Sequence, residues 1–188
     1  MPLSLNDYVK TPNGKAKIRS LQAVFFDFDG VFTDNKVWVD QDGKESVRCD
    51  RGDGLAFDML RRFVIQRNWN LEYFILSKEK NPVVSSRAHK LQVSCTQGVS
   101  NKVDYLKNYL AENQKIPQGL VYLGNDLNDL AAMRFSGFSV APSDAHPLIQ
   151  REAKLVLQQK GGEGFVRAFI EKLLGIEQIS SDEIAKLF

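Results

Sequence analysis

Leu21-Gln22-Ala23-Val24-Phe25-Phe26-Asp27-Phe28-Asp29-Gly30-Val31-Phe32-Thr33-Asp34 decides how the chain is to be read. Leu21 to Phe28 is an apolar run rich in β-formers that stops abruptly in two carboxylates and a glycine. That is the pattern of a buried strand whose end carries charge. Downstream, Lys36 to Cys49 alternates around Asp42-Gly43, with Val37, Val39 and Val47 as apolar partners, which predicts a β-hairpin on a tight turn. Gly54 to Arg67 carries Leu55, Phe57, Met59, Leu60, Phe63 and Val64 at helical spacing, and Leu71 to Leu76 is a second buried strand.

Strand and helix then alternate. Helix is expected over Pro82 to Leu91, strand over Val93 to Thr96, helix over Lys102 to Glu112, strand over Leu120 to Leu123 and helix over Leu127 to Phe135. Phe138 to Ala141 and Leu155 to Leu157 add short strands, and Gly164 to Leu174, after the Gly161-Gly162 break, adds an amphipathic helix. This order predicts an α/β fold: a doubly wound parallel sheet with helices on both faces and a β-hairpin insertion after the first strand. In such a sheet ligands bind outside the carboxyl ends of the strands, near the switch point in strand order. Without an internal repeat or long linker, one domain is expected over 21–176, between a polar extension at 1–20 and a tail at 177–188.

A chain of 188 residues that is 43% hydrophobic can bury one core without disulfides. Lys+Arg 25 against Asp+Glu 23 leaves a net charge of +2, with the basic residues dispersed, which argues against nucleic acid as a partner. The apolar runs are strand-sized, short of the roughly 20 residues of a membrane helix. The N-terminus, with Lys10, Lys15, Lys17 and Arg19, lacks the apolar centre of a secretory signal, so a cytoplasmic protein without membrane contact is expected. Cys49 and Cys95 form no C-x-x-C pair and read as reduced thiols. His89 and His146 read as helix-surface and turn residues without a part in proton transfer.

Two carboxylates two residues apart where an apolar strand stops are costly to bury unpaired. A divalent cation relieves the repulsion, and Mg2+, which prefers oxygen ligands, suits one or two carboxylates plus a phosphate. Asp27 then serves as a covalent nucleophile, and Asp29 protonates a leaving alkoxide and later activates water. Gly30 lets the backbone turn close to the phosphate. An isolated Asp-x-Asp more often caps a helix, but context reverses that reading. Ser77 follows the strand Phe74-Ile75-Leu76, where its hydroxyl can donate to a phosphoryl oxygen. Lys102 opens a helix after Gly98 and can balance phosphoryl charge. Gly124-Asn125-Asp126-Leu127-Asn128-Asp129, after Leu120 to Leu123, offers a third set of oxygen ligands.

Asp-x-Asp-Gly-Val, a hydroxyl, a lysine and Gly-Asn-Asp-x-x-Asp, in that order, resemble the haloacid dehalogenase-like phosphatases over roughly Ala23 to Leu174. Val31-Phe32-Thr33-Asp34, the hairpin, Asp53-Gly54-Leu55, Asp144-Ala145-His146-Pro147 and Gly161-Gly162-Glu163-Gly164-Phe165-Val166-Arg167 narrow the resemblance to a small capless group acting on phosphorylated sugar acids. The resemblance implies a Rossmann-like fold without a cap domain, an aspartyl-phosphate, and Mg2+ held by Asp27, the backbone carbonyl of Asp29 and Asn125. The commonest pattern has Asp where this chain has Asn125, and Asp126 or Asp129 would compensate. A homotetramer is also implied, in which the hairpin builds the interface and a neighbour's C-terminal segment covers the pocket.

The substrate contacts implied by the resemblance are Thr33, Asp53, Gly54, Glu79, Arg87 and Lys90. Arg87 matches an arginine that holds the sugar acid's carboxylate. Phosphatases of 3-deoxy-octulosonate 8-phosphate usually carry Gly-Arg after the hydroxyl and Arg-Asp-Gly after the hairpin. This chain has Ser77-Lys78-Glu79-Lys80 and Gly52-Asp53-Gly54, and Glu79 with Lys90 resembles relatives acting on 3-deoxy-nonulosonate 9-phosphates. Both substrate classes stay open. The alternative is a catalytically weak oligomerisation module of the same fold beside a sugar-acid cytidylyltransferase, which the Asn125 departure favours. A phosphoacceptor receiver domain is disfavoured by the Asp-x-Asp-Gly order and the hairpin, and no G-x-x-x-x-G-K-[ST] supports a P-loop enzyme.

Overall fold

Four fully buried residues, Ala23–Phe26 (β1), form the centre of a six-stranded parallel sheet. The computed structural model describes residues 21–176 and 179–186. Side chains of β1 alternate between the sheet's faces, with Val24 and Phe26 in one apolar cluster and Ala23 and Phe25 in the other. The strand order is β5 (Ser94–Thr96), β4 (Glu72–Leu76), β1, β6 (Leu120–Leu123), β7 (Phe138–Ala141), β8 (Leu155–Val156). From β1 the chain steps outward to β4 and β5, then returns to the other side of β1 for β6 to β8. The order therefore reverses between β1 and β6, whose carboxyl ends lie side by side at Phe26 and Leu123. This crevice is where a doubly wound sheet binds its ligand.

Helices α1 (Gly52–Gln66), α2 (Val83–Leu91) and α6 (Phe165–Leu174) bury Phe57, Leu60, Ala88 and Phe169 on the face of Phe26. On the other face, α3 (Lys102–Glu112), α4 (Leu130–Phe135) and α5 (Pro147–Glu152) bury Leu106, Met133 and Ile149. The expected architecture is therefore present, with two differences in local structure. Leu127–Asp129 is a separate 3-10 turn, whose start is fixed by the Asp126 carboxylate accepting the Leu127 N–H at 2.7 Å. Two short helices were not anticipated: α5, where Pro147 opens the helix behind a His146 cap, and α7 (Ser181–Ala185), capped by Ser180 and Glu183. Ile179 and Ile184 pack against the chain's own core, so the described part of the expected tail is anchored. The extension at 1–20 lies outside the described residues. Among the described residues no helix is long and apolar enough to cross a membrane.

The hairpin, β2 (Thr33–Val39) and β3 (Glu45–Cys49), is a separate two-stranded sheet. Asp40 closes its turn by accepting the N–H groups of Asp42 and Lys44, at 2.9 and 2.8 Å. Its root is wedged by two glycines: the Gly162 N–H donates to the Val31 carbonyl at 3.1 Å, and a Cβ on Gly161 would lie 2.0 Å from the Gly30 carbonyl oxygen. Gly161→Ala is expected to cost about 1–3 kcal/mol through this overlap. Gly54→Ala, whose Cβ would meet only Leu91 at 4.0 Å, is expected to be neutral or to stabilise by up to about 1 kcal/mol. Thermal or urea unfolding of the two variants checks the contrast.

Candidate active site

Asp27, the first residue past β1, keeps its backbone in the sheet by donating its N–H to the Leu123 carbonyl at 2.9 Å. Its side chain is buried, and Lys102 Nζ lies 2.7 Å from Asp27 Oδ1 and 2.7 Å from Asp129 Oδ1. Lys102 is the first residue of α3, capped by the Asn101 side chain, so the helix start aims the ammonium under the crevice. Asp129 is fully enclosed. Its Oδ1 also accepts the Tyr122 hydroxyl at 2.9 Å, and its Oδ2 accepts the backbone N–H of Asn125 at 3.0 Å and of Asp126 at 3.4 Å. With four donors in place, Asp129 is an anchor inside the protein and has no lone pair for a cation, which corrects its expected compensating role.

Burial, seconded by the Asp129 charge, pushes the Asp27 carboxyl up to about 8, with Lys102 opposing. Burial works against the charge on Lys102, but Asp27 and Asp129 outweigh it and hold its pKa above the usual lysine value. Asp29 is raised by burial and then by Glu79 and Glu45, with Lys102 acting against them.

Asp27, Asp29, Ser77, Glu79, Asn125 and Asp126 line one cavity of about 440 Å³, so six of the expected residues converge. Lys78, Lys80 and Asn128, from the 77–80 and 124–129 segments, and Asn35, at the start of β2, complete its wall; of these, Asn35 was not anticipated. Ser77 Oγ accepts the Glu79 N–H at 3.0 Å and keeps its own proton to donate. The Glu79 carboxylate turns back onto the N–H groups of Lys80 and Asn81, at 2.6 and 2.8 Å. Asp126 is partly spent on the Leu127 N–H. Asn125 Oδ1 is buried without a hydrogen-bond partner. A lone carbonyl-type oxygen held among carboxylates is what a hard cation requires, so the residues present fit a divalent ion. The Asn125 amide fits because position 30 is glycine: a Cβ there would lie 1.9 Å from Asn125 Nδ2.

Gly54, Arg87 and Lys90 instead line a second cavity of about 250 Å³, together with Cys49, Arg51 and Leu91. Arg87 Nη2 donates to the Asp50 carbonyl at 2.6 Å, and its Nε is buried without a partner. Thr33 and Asp53 line neither cavity. Thr33 is fully buried and its hydroxyl oxygen accepts the N–H groups of Gly30 and Asn35, at 3.1 and 3.2 Å, so it shapes the loop. Asp53 sits 1% exposed in the first turn of α1, and neither carboxylate oxygen meets hydrogen-bond geometry. Burial pushes its carboxyl up to about 7, with Asp50 adding to the shift and Arg87 opposing it. Adjacency to a motif does not settle which way a side chain faces, and both Thr33 and Asp53 turn into the interior.

The sequence pattern of the haloacid dehalogenase-like hydrolases matches residues 69–169, which hold Ser77, Lys102 and the loop at 124–129. Over 165 residues the chain is 31% identical to the 3-deoxy-D-manno-octulosonate 8-phosphate phosphatase KdsC of Salmonella typhimurium, covering 87% of this chain and 85% of that one. A solved phosphatase of the same name from Yersinia pestis has a TM-score of 0.75 at 28% identity, with 86% of each chain covered. Another from Moraxella catarrhalis, solved with magnesium, phosphate and KDO, shares the fold with a TM-score of 0.78 at 22% identity, covering 91% of this chain and 95% of that one.

The folded-state pKa of Asp53 stands above its unfolded value, so between 3.8 and about 7 the folded chain holds a proton that the unfolded chain has lost. Stability from this group therefore falls as pH rises through that window. Asp53→Asn, which needs no proton in the folded state, is expected to gain more stability at pH 8 than at pH 5, by on the order of 1–3 kcal/mol. Thermal melts at the two pH values check this; an effect equal at both would exclude a protonated Asp53.

Proposed function

The chain belongs to the haloacid dehalogenase-like hydrolases and is a phosphatase, and from that premise we propose that it cleaves the phosphate monoester of a 3-deoxy-2-keto sugar acid through an aspartyl-phosphate on Asp27. The observation that carries this reading is the Asp27 carboxylate at the cavity wall, 2.7 Å from a lysine shared with a second buried carboxylate. Asp27 attacks phosphorus and the ester P–O bond breaks. Asp29, held towards its protonated form, gives its proton to the leaving alkoxide. The deprotonated Asp29 then takes a proton from the water that attacks the aspartyl-phosphate, releasing phosphate and restoring Asp27. The Ser77 hydroxyl and the Lys102 ammonium bind phosphoryl oxygens during both transfers.

Asp27, the Asp29 backbone carbonyl and Asn125 Oδ1 would hold Mg2+, with Asp126 at the edge of the same cavity. When bound, the ion offsets the repulsion between the phosphate and the carboxylates and favours the ionised form of Asp27. Arg87 and Lys90, in the second cavity, are the groups for the substrate's carboxylate end, with Glu79 at the catalytic end. Similarity to KdsC supports octulosonate 8-phosphate; the resemblance of Glu79 with Lys90 to relatives acting on nonulosonate 9-phosphates is what keeps that second substrate among those to be assayed.

Val37 and Val39 make an exposed apolar strip on one face of the hairpin, at 54% and 60%, and Trp38 is exposed on the other face at 57%. Such a strip marks an interaction surface, and it supports assembly into a tetramer through the hairpin. A cytoplasmic location accords with the free thiols of Cys49 and Cys95.

Phosphate release from octulosonate 8-phosphate, nonulosonate 9-phosphates and hexose phosphates, with and without Mg2+, tests the activity. Metal-dependent release is expected from the sugar acids, and Asp27→Asn is expected to lose it by at least about a thousandfold. Equal release by wild type and Asp27→Asn would remove the nucleophile assignment. Light scattering should give a tetramer mass that Trp38→Glu lowers, whereas a wild-type monomer would remove the assembly.

A further inference from the structure

Tyr122 lies on β6 in the sequence Leu-Val-Tyr-Leu, where every side chain is buried. Its ring is enclosed by the cluster of Phe25, Leu106 and Met133, and a phenylalanine would fill that space without a polar group to satisfy. The hydroxyl makes one hydrogen bond, to Asp129 Oδ1 at 2.9 Å. The same oxygen accepts Lys102 Nζ at 2.7 Å, and Lys102 Nζ lies 2.7 Å from Asp27.

We propose that Tyr122 is a positioning residue for the phosphoryl transfer, its hydroxyl fixing how strongly Asp129 draws the Lys102 ammonium away from Asp27. The inference rests on Asp27 as nucleophile. The Asp129 carboxylate competes with Asp27 for one ammonium, drawing Lys102 by its charge at 2.7 Å. Each donor that Oδ1 accepts spreads that charge, so the tyrosine hydroxyl weakens the hold of Asp129 on the lysine. The two backbone N–H groups on Oδ2 fix the carboxylate's plane, and the hydroxyl fixes the approach left open to Lys102. Burial, followed by the charges of Asp129 and Asp27, keeps the hydroxyl pKa well above the usual tyrosine value, so it remains a donor. Without the hydroxyl, the lysine recedes towards Asp129 and less of its charge reaches the transferring phosphoryl group.

Tyr122→Phe isolates the hydroxyl, because it retains the ring whose centroid lies 5.8 Å from Lys102 Nζ. The expected result is a kcat on the preferred phosphate ester reduced roughly three- to tenfold, with KM and the Mg2+ concentration for half-maximal rate each changed less than twofold. In 15N-lysine-labelled protein, the Lys102 Nζ resonance is expected to shift and its hydrogens to exchange faster. A lowered melting temperature with unchanged kcat and an unchanged Lys102 resonance would overturn the proposal, leaving the tyrosine a packing residue. A raised Mg2+ requirement with unchanged kcat would also overturn it, assigning the hydroxyl to the 125–126 loop. The resonance needs no turnover, so an inactive wild type would end the phosphatase reading while the position of the lysine is still decided. If the Phe chain does not fold, 3-fluorotyrosine at position 122 strengthens the donor, and the Lys102 resonance must then move; a resonance that stays in place refutes the role.

Discussion

One buried ammonium, Lys102, shared between the buried carboxylates of Asp27 and Asp129, is the constraint around which the remaining geometry is arranged. It ties together the end of β1, the start of α3 and the loop after β6, three segments far apart in sequence. Ions removed from water are costly, and a buried ion pair contributes less to net stability than to fixing one arrangement. Here two buried carboxyl groups share one ammonium, so ionising Asp27 would leave the floor of the cavity with an excess negative charge. Burial, seconded by the Asp129 charge, raises the Asp27 carboxyl, and the same setting suits a cation, with the unpartnered Asn125 Oδ1 in the same cavity.

The sheet makes that meeting possible. β1 lies between β4 and β6, and the reversal of strand order puts the residues after β1 and after β6 across a single crevice. Ser77 arrives from the neighbouring strand β4, and its N–H is fixed by the Thr96 carbonyl of β5. The hairpin stands apart from this sheet and is held at its root by close glycine contacts. Arg48 bridges Asp34 and Glu163 across the same junction, at 3.0 and 2.8 Å, but its exposed position makes it a minor contributor beside the backbone wedge.

Much of this was legible in the chain because charge interrupts apolar periodicity at the positions that matter. Asp27, Ser77, Asn125 and Asp126 each follow a buried strand, and in a parallel sheet the ends of such strands converge. Lys102 was legible from its place at a helix start after Gly98; its Asn101 cap emerges only in three dimensions. Facing direction was not legible. Thr33 and Asp53 sit beside motif residues yet turn into the interior, and Arg87 and Lys90 open onto a different concavity from Glu79. Tyr122 was hidden for the opposite reason: within an apolar strand an aromatic reads as packing, and only three-dimensional structure brings its hydroxyl to Asp129. The α5 and α7 helices, of six and five residues, are too short to display helical periodicity.

The central position of β1 also bears on the order of events during synthesis. Ala23 pairs with Leu120, so the strand that leads into Asp27 has one flank unfilled until about a hundred further residues have been made. At ribosomal rates of roughly 5–20 residues per second, that interval lasts seconds. Throughout it the most apolar stretch of the chain is available to wrong partners, and contacts of such long sequence separation form slowly. Its two carboxylates, Asp27 and Asp29, then act as charged gatekeepers at the end of an aggregation-prone strand. They protect the nascent chain before there is a site for them to serve.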